Sequence, residues 1–137
     1  MERYFGDASK EAPDVETRQR MVIEATIQKW HADPPAHPIL IAGSTGSRGA
    51  TAMLMEAVAK LPQGAVILPG FDYDMPPEIW AQLRDALSSE DHPQFRFAKL
   101  MDRLGMLPTA VMNWTETVPN SPQRNALVSL ALRPAPV

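Results

Sequence analysis

The chain has 137 residues, no cysteine and a formal net charge of -3, from 13 Lys and Arg against 16 Asp and Glu. This length fits one compact domain, and the lack of cysteine excludes disulfides, thiolate metal sites and a cysteine nucleophile. The negative net charge means that the chain as a whole does not attract nucleic acid, so any contact with phosphates must be local. No apolar run reaches the roughly 18 residues of a spanning helix, so we expect a cytoplasmic chain that contacts no membrane.

The first predicted element is a helix that follows a leader without periodicity. Residues 1–13 are expected to form a flexible leader to a single α/β domain over residues 14–135. Asp14 can cap the helix, which should end before Pro34. Its apolar face carries three residues at the i, i+4 and i+7 spacing: Ile23, Ile27 and Trp30.

Two short apolar runs, each ending in a turn, predict two buried strands with a helix between them. Ile39 to Ala42 leads into the glycine-rich residues 43–49, and Ala65 to Leu68 leads into Pro69-Gly70. The helix between them carries Glu56 and Lys60 as an i, i+4 pair. Its predicted apolar face is formed by Ala50, Leu54, Ala57, Val58 and Leu61.

Three further helices and a third strand are predicted after the second strand. One helix starts at Pro76-Pro77 and carries Ile79, Trp80, Leu83 and Leu87. The next contains Phe97 to Leu104 and ends at Gly105, and the last opens at Ser121-Pro122. The last helix contains Leu127, Leu130 and Ala131, and residues 109–114 are the candidate third strand. Alternating strands and helices predict an α/β fold with a short parallel sheet and flanking helices, in P-loop, superfamily-1 helicase-like or Rossmann-like layering.

The glycine-rich segment lies between a strand and a helix, where α/β proteins hold phosphates. It consists of Gly43, Ser44, Thr45, Gly46, Ser47, Arg48 and Gly49. A Walker A loop requires a lysine that this segment lacks, and the glycine spacing differs from the dinucleotide fingerprint. The residue types therefore favour a tight turn in which Ser44, Thr45 or Ser47 caps the next helix. We interpret the segment as an anion-binding loop that has lost the residues of the known nucleotide motifs.

The other polar residues predict no catalytic residue, no metal site and no cofactor. Asp72 and Asp74 are too few carboxylates for a cation cage, and Asp74 is better explained as the cap of the helix after it. The three histidines lack metal-ligand spacing. The tryptophans at positions 30, 80 and 114 are expected in the core or at contacts with another domain.

One predicted helix carries three cations at i, i+3 and i+7, on the face opposite its apolar residues. These cations are Arg96, Lys99 and Arg103. They could contact a phosphate backbone or an acidic partner. A solvated charged face opposite a buried stripe is the ordinary alternative.

Several stretches together resemble the AddB subunit of bacterial helicase-nucleases in its alphaproteobacterial form. They are Pro38-Ile-Leu-Ile-Ala-Gly-Ser-Thr-Gly-Ser47, Leu61-Pro-Gln-Gly-Ala-Val-Ile-Leu-Pro-Gly70, His92-Pro-Gln-Phe95, Leu100-Met-Asp-Arg-Leu-Gly105 and Ala131-Leu-Arg-Pro-Ala135. In that family the N-terminal half resembles a superfamily-1 helicase core without its ATPase motor. The nuclease and an iron–sulfur cluster belong to the family's C-terminal part, so we expect this chain to be a piece of a longer protein.

The resemblance implies a non-catalytic scaffold and DNA-path segment in double-strand break repair. Its partners would be the rest of an AddB-type chain, an AddA-type motor subunit and DNA. On the helicase pattern, the first strand ends at Ala42-Gly43-Ser44 without acids for magnesium, and no sensor Gln follows the second. We therefore expect neither tight binding nor hydrolysis of ATP. Two alternatives stay open: a small stand-alone α/β nucleotide-binding protein or enzyme that uses Gly43–Gly49, and a protein-interaction module.

Overall fold

A computed structural model describes residues 14–84 and 89–134, and the predicted leader lies outside them. Within this part the chain forms five α-helices, one 3-10 turn and two strands. In chain order they are α1 (Val15–Ala32), β1 (Ile39–Ala42), α2 (Gly49–Ala59), β2 (Gly64–Ile67), α3 (Pro77–Gln82), α4 (Phe95–Leu104), the 3-10 turn (Pro108–Ala110) and α5 (Pro122–Ala131). The predicted α/β class is confirmed in this coarse form. The predicted third strand is wrong, because Pro108 starts a 3-10 turn there and sets a φ that suits the turn.

Helix boundaries are set by local interactions that the sequence encodes. The Asp14 carboxylate accepts the backbone N–H of Thr17 at 2.6 Å and caps α1. Gly105 ends α4 with a φ of 64°, in the left-handed region that costs glycine least. The predicted pair on α2 is present, with 2.6 Å between Lys60 Nζ and Glu56 Oε1.

The two strands pair in parallel and are joined through α2. Ile39 lies opposite Gly64, and Ala42 lies opposite Ile67. Because α1 and α4 both pack against α2, this helix is the centre of the described fold. β1 alternates between half-buried and exposed residues, and Leu40 is 57% exposed. The prediction of a buried strand is therefore wrong for β1, since its residues on the face of Leu40 are exposed.

The main apolar core lies where α3 and α4 meet. It contains Met75, Trp80, Leu83, Phe97, Ala98 and Met101. The Phe71 ring stacks on the Trp80 indole, with centroids 4.9 Å apart and planes 17° apart. Stacked aromatic rings add to the free energy gained by burial alone, so this pair fixes the loop after β2 against α3.

α5 leaves most of its apolar side chains exposed. Its buried residue is Ser129, whose hydroxyl makes no hydrogen bond among the described residues. Leu127 and Leu130 are 66% and 55% exposed. The sequence pattern correctly predicted that this segment is a helix. Which of its faces is buried depends on packing against the rest of the fold. None of the helices in the described segments is long and apolar enough to cross a membrane.

The start of α3 differs from its prediction. Its N-cap position is Pro76, which has no capping side chain, and Asp74 does not cap the helix. Instead the Asp72 carboxylate accepts the backbone N–H of Asp74 at 2.9 Å. An aspartate that bonds the N–H two residues later forms a local turn. Leu87, which was expected on this helix, lies outside the described residues.

A buried glutamine joins the start of α4 to the loop after β2. The Gln94 side chain donates to the Gly70 carbonyl at 2.8 Å and accepts the Asp72 N–H at 3.2 Å. The backbone N–H of Gln94 donates to Nδ1 of His92 at 3.1 Å. His92 must keep Nδ1 unprotonated to accept this bond, so the junction depends on a neutral imidazole.

Burial lowers the pKa of His92 below its usual 6.5. The Leu132 carbonyl, which lies near the ring but outside hydrogen-bond geometry, and the Asp72 carboxylate offset only part of this effect. The unfolded chain therefore binds a proton at a higher pH than the folded one. Stability from this group is complete above pH 6.5 and is lost as the pH falls toward the folded pKa.

We expect the melting temperature to fall as the pH is lowered from 7.5 to about 5, and to fall less in His92→Asn. Asparagine can accept the Gln94 N–H through its side-chain oxygen but does not titrate in this range. Melts followed by circular dichroism across this range test the prediction. Parallel pH profiles for the two proteins would show that His92 does not carry the effect.

Candidate functional site

The glycine-rich loop and the basic helix face, which the sequence suggested separately, line one cleft of about 380 Å³. The loop contributes Thr45 and Gly46, and α2 contributes Ala52 and Met55. The opposite wall is formed by Glu90, which precedes α4 in the chain, and by six residues of α4: Phe95, Arg96, Lys99, Leu100, Asp102 and Arg103. All three predicted cations therefore share a concave site with part of the predicted anion loop.

A buried aromatic ring holds two of the cations in place. Phe95, the first residue of α4, has its side chain buried. The Arg96 guanidinium carbon lies 5.4 Å and the Lys99 Nζ 5.6 Å from the centroid of its ring. Both distances fall within the range of cation–π attraction, so the ring favours positions of these side chains along the cleft wall.

Ion pairs compensate some of the charges in the cleft. Arg96 Nη2 lies 3.2 Å from Glu90 Oε1, and Asp102 Oδ1 lies 3.3 Å from Nη1 of Arg84. Glu90 thus offsets Arg96, and the Asp102 carboxylate is offset by Arg84, which does not line the cleft. All four side chains are substantially exposed, so each pair contributes little to stability.

Lys99 and Arg103 have no acidic partner in residues 14–84 and 89–134. They lie four residues apart on α4, about 5–6 Å between their Cβ atoms. Two uncompensated cations therefore point to an anionic ligand for this cleft. The sequence analysis did not consider Glu90 and Asp102. Asp102 lies between Lys99 and Arg103 in the sequence, so its negative charge could have been counted against the charge of the predicted cations.

The glycine-rich loop is stabilised by a hydrogen bond within the loop itself. The Ser44 hydroxyl accepts the Gly46 N–H at 3.2 Å, and Gly43 and Gly46 have φ values of 76° and 68°. A Cβ on Gly46 would lie 3.1 Å from the sulfur of Met55, so the loop packs directly on α2. The positive φ and this close contact both favour glycine at position 46.

The predicted capping of α2 by a loop hydroxyl is wrong. The N-cap residue is Arg48, in extended conformation and with no side-chain hydrogen bond to the helix. Ser44 instead bonds within the loop. Of the seven predicted loop residues, only Thr45 and Gly46 line the cleft; Gly43, Ser44, Ser47, Arg48 and Gly49 do not.

A second cavity of about 450 Å³ lies between α1 and α2. Its lining includes Ile27 and Trp30 from α1 and Met53 from α2. Its Lys60 and Glu56 form the ion pair already described, which leaves His31 as its other titratable group. The cavity therefore lacks uncompensated charge, and the cleft beside α4 is the better candidate despite its smaller volume.

The side chains weighed as metal ligands do not converge. In the described part of the chain no group of three or more His, Asp or Glu residues is placed to hold a metal ion. Asp72 is engaged in the turn with Asp74, and Nδ1 of His92 accepts the Gln94 N–H. The arrangement supports binding of an anion at the cleft through cations and polar groups of the chain itself.

Comparisons with models of protein families, with curated proteins and with solved structures found no match to this chain.

Proposed function

We propose that this chain is a non-catalytic scaffold and DNA-path segment of an AddB-type subunit, part of a cytoplasmic helicase-nuclease in recombinational double-strand break repair. Its partners would be the rest of that subunit, an AddA-type motor subunit and DNA. The observation that carries the proposal is the cleft beside α4, with Lys99 and Arg103 uncompensated. A local basic site is the form of DNA contact open to a chain of net charge -3.

The carboxyl ends of the two strands support a non-catalytic role. In a parallel sheet this edge is where motor proteins place the acids and polar groups that act on a nucleotide. β1 ends at Ala42, before Gly43-Ser44, and β2 is followed by Leu68-Pro69-Gly70. The first acid after β2 is Asp72, whose carboxylate is engaged in the turn with Asp74. Neither strand therefore ends directly in a carboxylate that could hold magnesium.

Exposed apolar surface supports the scaffold part of the proposal. The two-stranded sheet joined through α2 is one unit of the helicase-like or Rossmann-like layering that we propose for the parent fold. Parallel sheets are usually covered on both faces, yet Leu40 is exposed, as are Leu127 and Leu130 on α5. In the proposed subunit these exposed side chains would contact its other segments.

The proposal predicts that reversing the two free cations weakens DNA binding and lowers its dependence on salt. In Lys99→Glu/Arg103→Glu we expect more than about tenfold weaker binding of a fluorescein-labelled duplex at 50 mM salt. The slope of log K against log salt should become shallower by about 0.9 for each phosphate contact that is lost. Fluorescence anisotropy between 50 and 200 mM salt measures both quantities.

Arg18→Glu/Lys29→Glu is the matched control, since it changes the net charge equally on exposed α1 positions away from the cleft. It should retain most of the affinity and the original slope. Equal losses in the two double variants would mean that overall charge, and not the cleft, governs binding, and the DNA-path proposal would then lose its support.

A further inference from the structure

We infer that the cleft binds the terminal phosphomonoester of a nucleic-acid strand in preference to an internal phosphodiester. This inference rests on the proposed function and names the ligand group of the same site.

The free charge in the cleft matches a dianion. Glu90 offsets Arg96 and Arg84 offsets Asp102, which leaves Lys99 and Arg103. An internal phosphodiester carries one negative charge, whereas a phosphomonoester carries about -1.5 to -2 at pH 7. One terminal phosphate therefore neutralises both free cations without a second phosphate in the cleft.

The cleft floor disfavours a second phosphate. We use this name for Ala52 and Met55 of α2 together with Leu100 of α4, all of which line the cavity. Bringing a charged phosphate against apolar side chains costs free energy, because it loses water without gaining hydrogen bonds. A sugar or the edge of a base loses much less there. The floor therefore suits the remainder of one terminal nucleotide.

Both cations can reach one group. Lys99 and Arg103 are neighbours on adjacent turns of α4, and their side chains are long enough to converge. The Thr45 hydroxyl on the opposite wall makes no hydrogen bond in the described residues and is available as a further donor. Charge-assisted bonds from two cations to one phosphate are the stronger class of hydrogen bond.

The test compares two single-stranded oligonucleotides of the same sequence, one with a 5′-phosphate and one with a 5′-hydroxyl, each labelled at the 3′ end. For the full chain we expect roughly fivefold or tighter binding of the phosphorylated strand, from the added charge and its hydrogen bonds. In Lys99→Ala/Arg103→Ala the two strands should bind with equal affinity. The control Arg18→Ala/Lys29→Ala should keep the preference, and circular dichroism verifies that each variant is folded.

The outcomes separate this inference from the proposed function. If both strands bind the full chain equally and Lys99→Ala/Arg103→Ala weakens both alike, the DNA-path proposal stands and the terminal-phosphate inference is wrong. If neither strand binds, the terminal-phosphate inference is wrong, whereas the DNA-path proposal is decided by the duplex titration. Inorganic phosphate serves as competitor: displacement as efficient as by the phosphorylated strand would identify a site for free phosphate and overturn a strand end as the ligand.

Discussion

Replacing Trp80 by alanine is expected to lower the free energy of unfolding by about 3–5 kcal/mol. Trp80 is 3% exposed, lies in the core between α3 and α4, and stacks on Phe71. Its removal would leave a cavity that the neighbouring Phe97 and Met101 cannot fill without leaving their own contacts. Small domains have only about 5–15 kcal/mol of stability, so this single change should bring the chain near to unfolding.

Urea unfolding followed by far-ultraviolet circular dichroism measures the loss, since fluorescence would change with the tryptophan itself. Trp114→Ala is the matched control, because Trp114 is 69% exposed and the same atoms are removed. It should change stability by less than about 0.5 kcal/mol. Comparable losses in the two variants would contradict a core that contains Trp80 between α3 and α4.

Gly64→Ala is the second change with a large expected effect. A Cβ at this first residue of β2 would overlap the carbonyl oxygen of Val58 and lie 2.9 Å from the Cβ of Leu61. The Val58 carbonyl belongs to the end of α2 and already accepts the Leu61 N–H at 3.1 Å. Because the obstacle is backbone, relief requires α2 and β2 to separate. We expect a loss at or above the roughly 1–3 kcal/mol typical of overpacking.

Gly49→Ala is its control, since an added Cβ there meets nothing within 4 Å and the residue starts α2. Alanine favours helix more than glycine does, so this variant should be unchanged or more stable by up to about 1 kcal/mol. Urea unfolding of both variants decides the matter. A Gly64→Ala protein as stable as the original chain would show that the approach between α2 and β2 is looser than described.

Several features of the fold could be predicted from sequence because they depend on residues three or four positions apart. Asp14 caps α1 through Thr17, and Gly105 ends α4. The Glu56 to Lys60 pair follows from i, i+4 spacing in the same way. Such contacts form whenever the helix forms, so the pattern of residues is sufficient to predict them.

Other predictions failed where competing interactions decided the outcome. Asp74 can cap a helix, but its N–H is held by Asp72, and α3 starts only at Pro77. Ser44 can cap α2, but its hydroxyl is used inside the loop. Both polar groups had two possible local partners, and sequence alone does not rank them, because the ranking depends on the path that the backbone takes into the next element.

The sequence by itself determined the helices, the two strands, the parallel pairing implied by their alternation, and the three cations on one helix face. Only the tertiary structure decided that α4 packs against α2 and so brings Lys99 and Arg103 to the same cleft as Thr45 and Gly46. It also decided that Glu90 and Arg84 take up two of the cleft's charges. The physical reason is range: helix formation and charge spacing follow from near neighbours, whereas a cleft depends on side-chain packing between elements far apart in the chain, and local periodicity does not encode that packing.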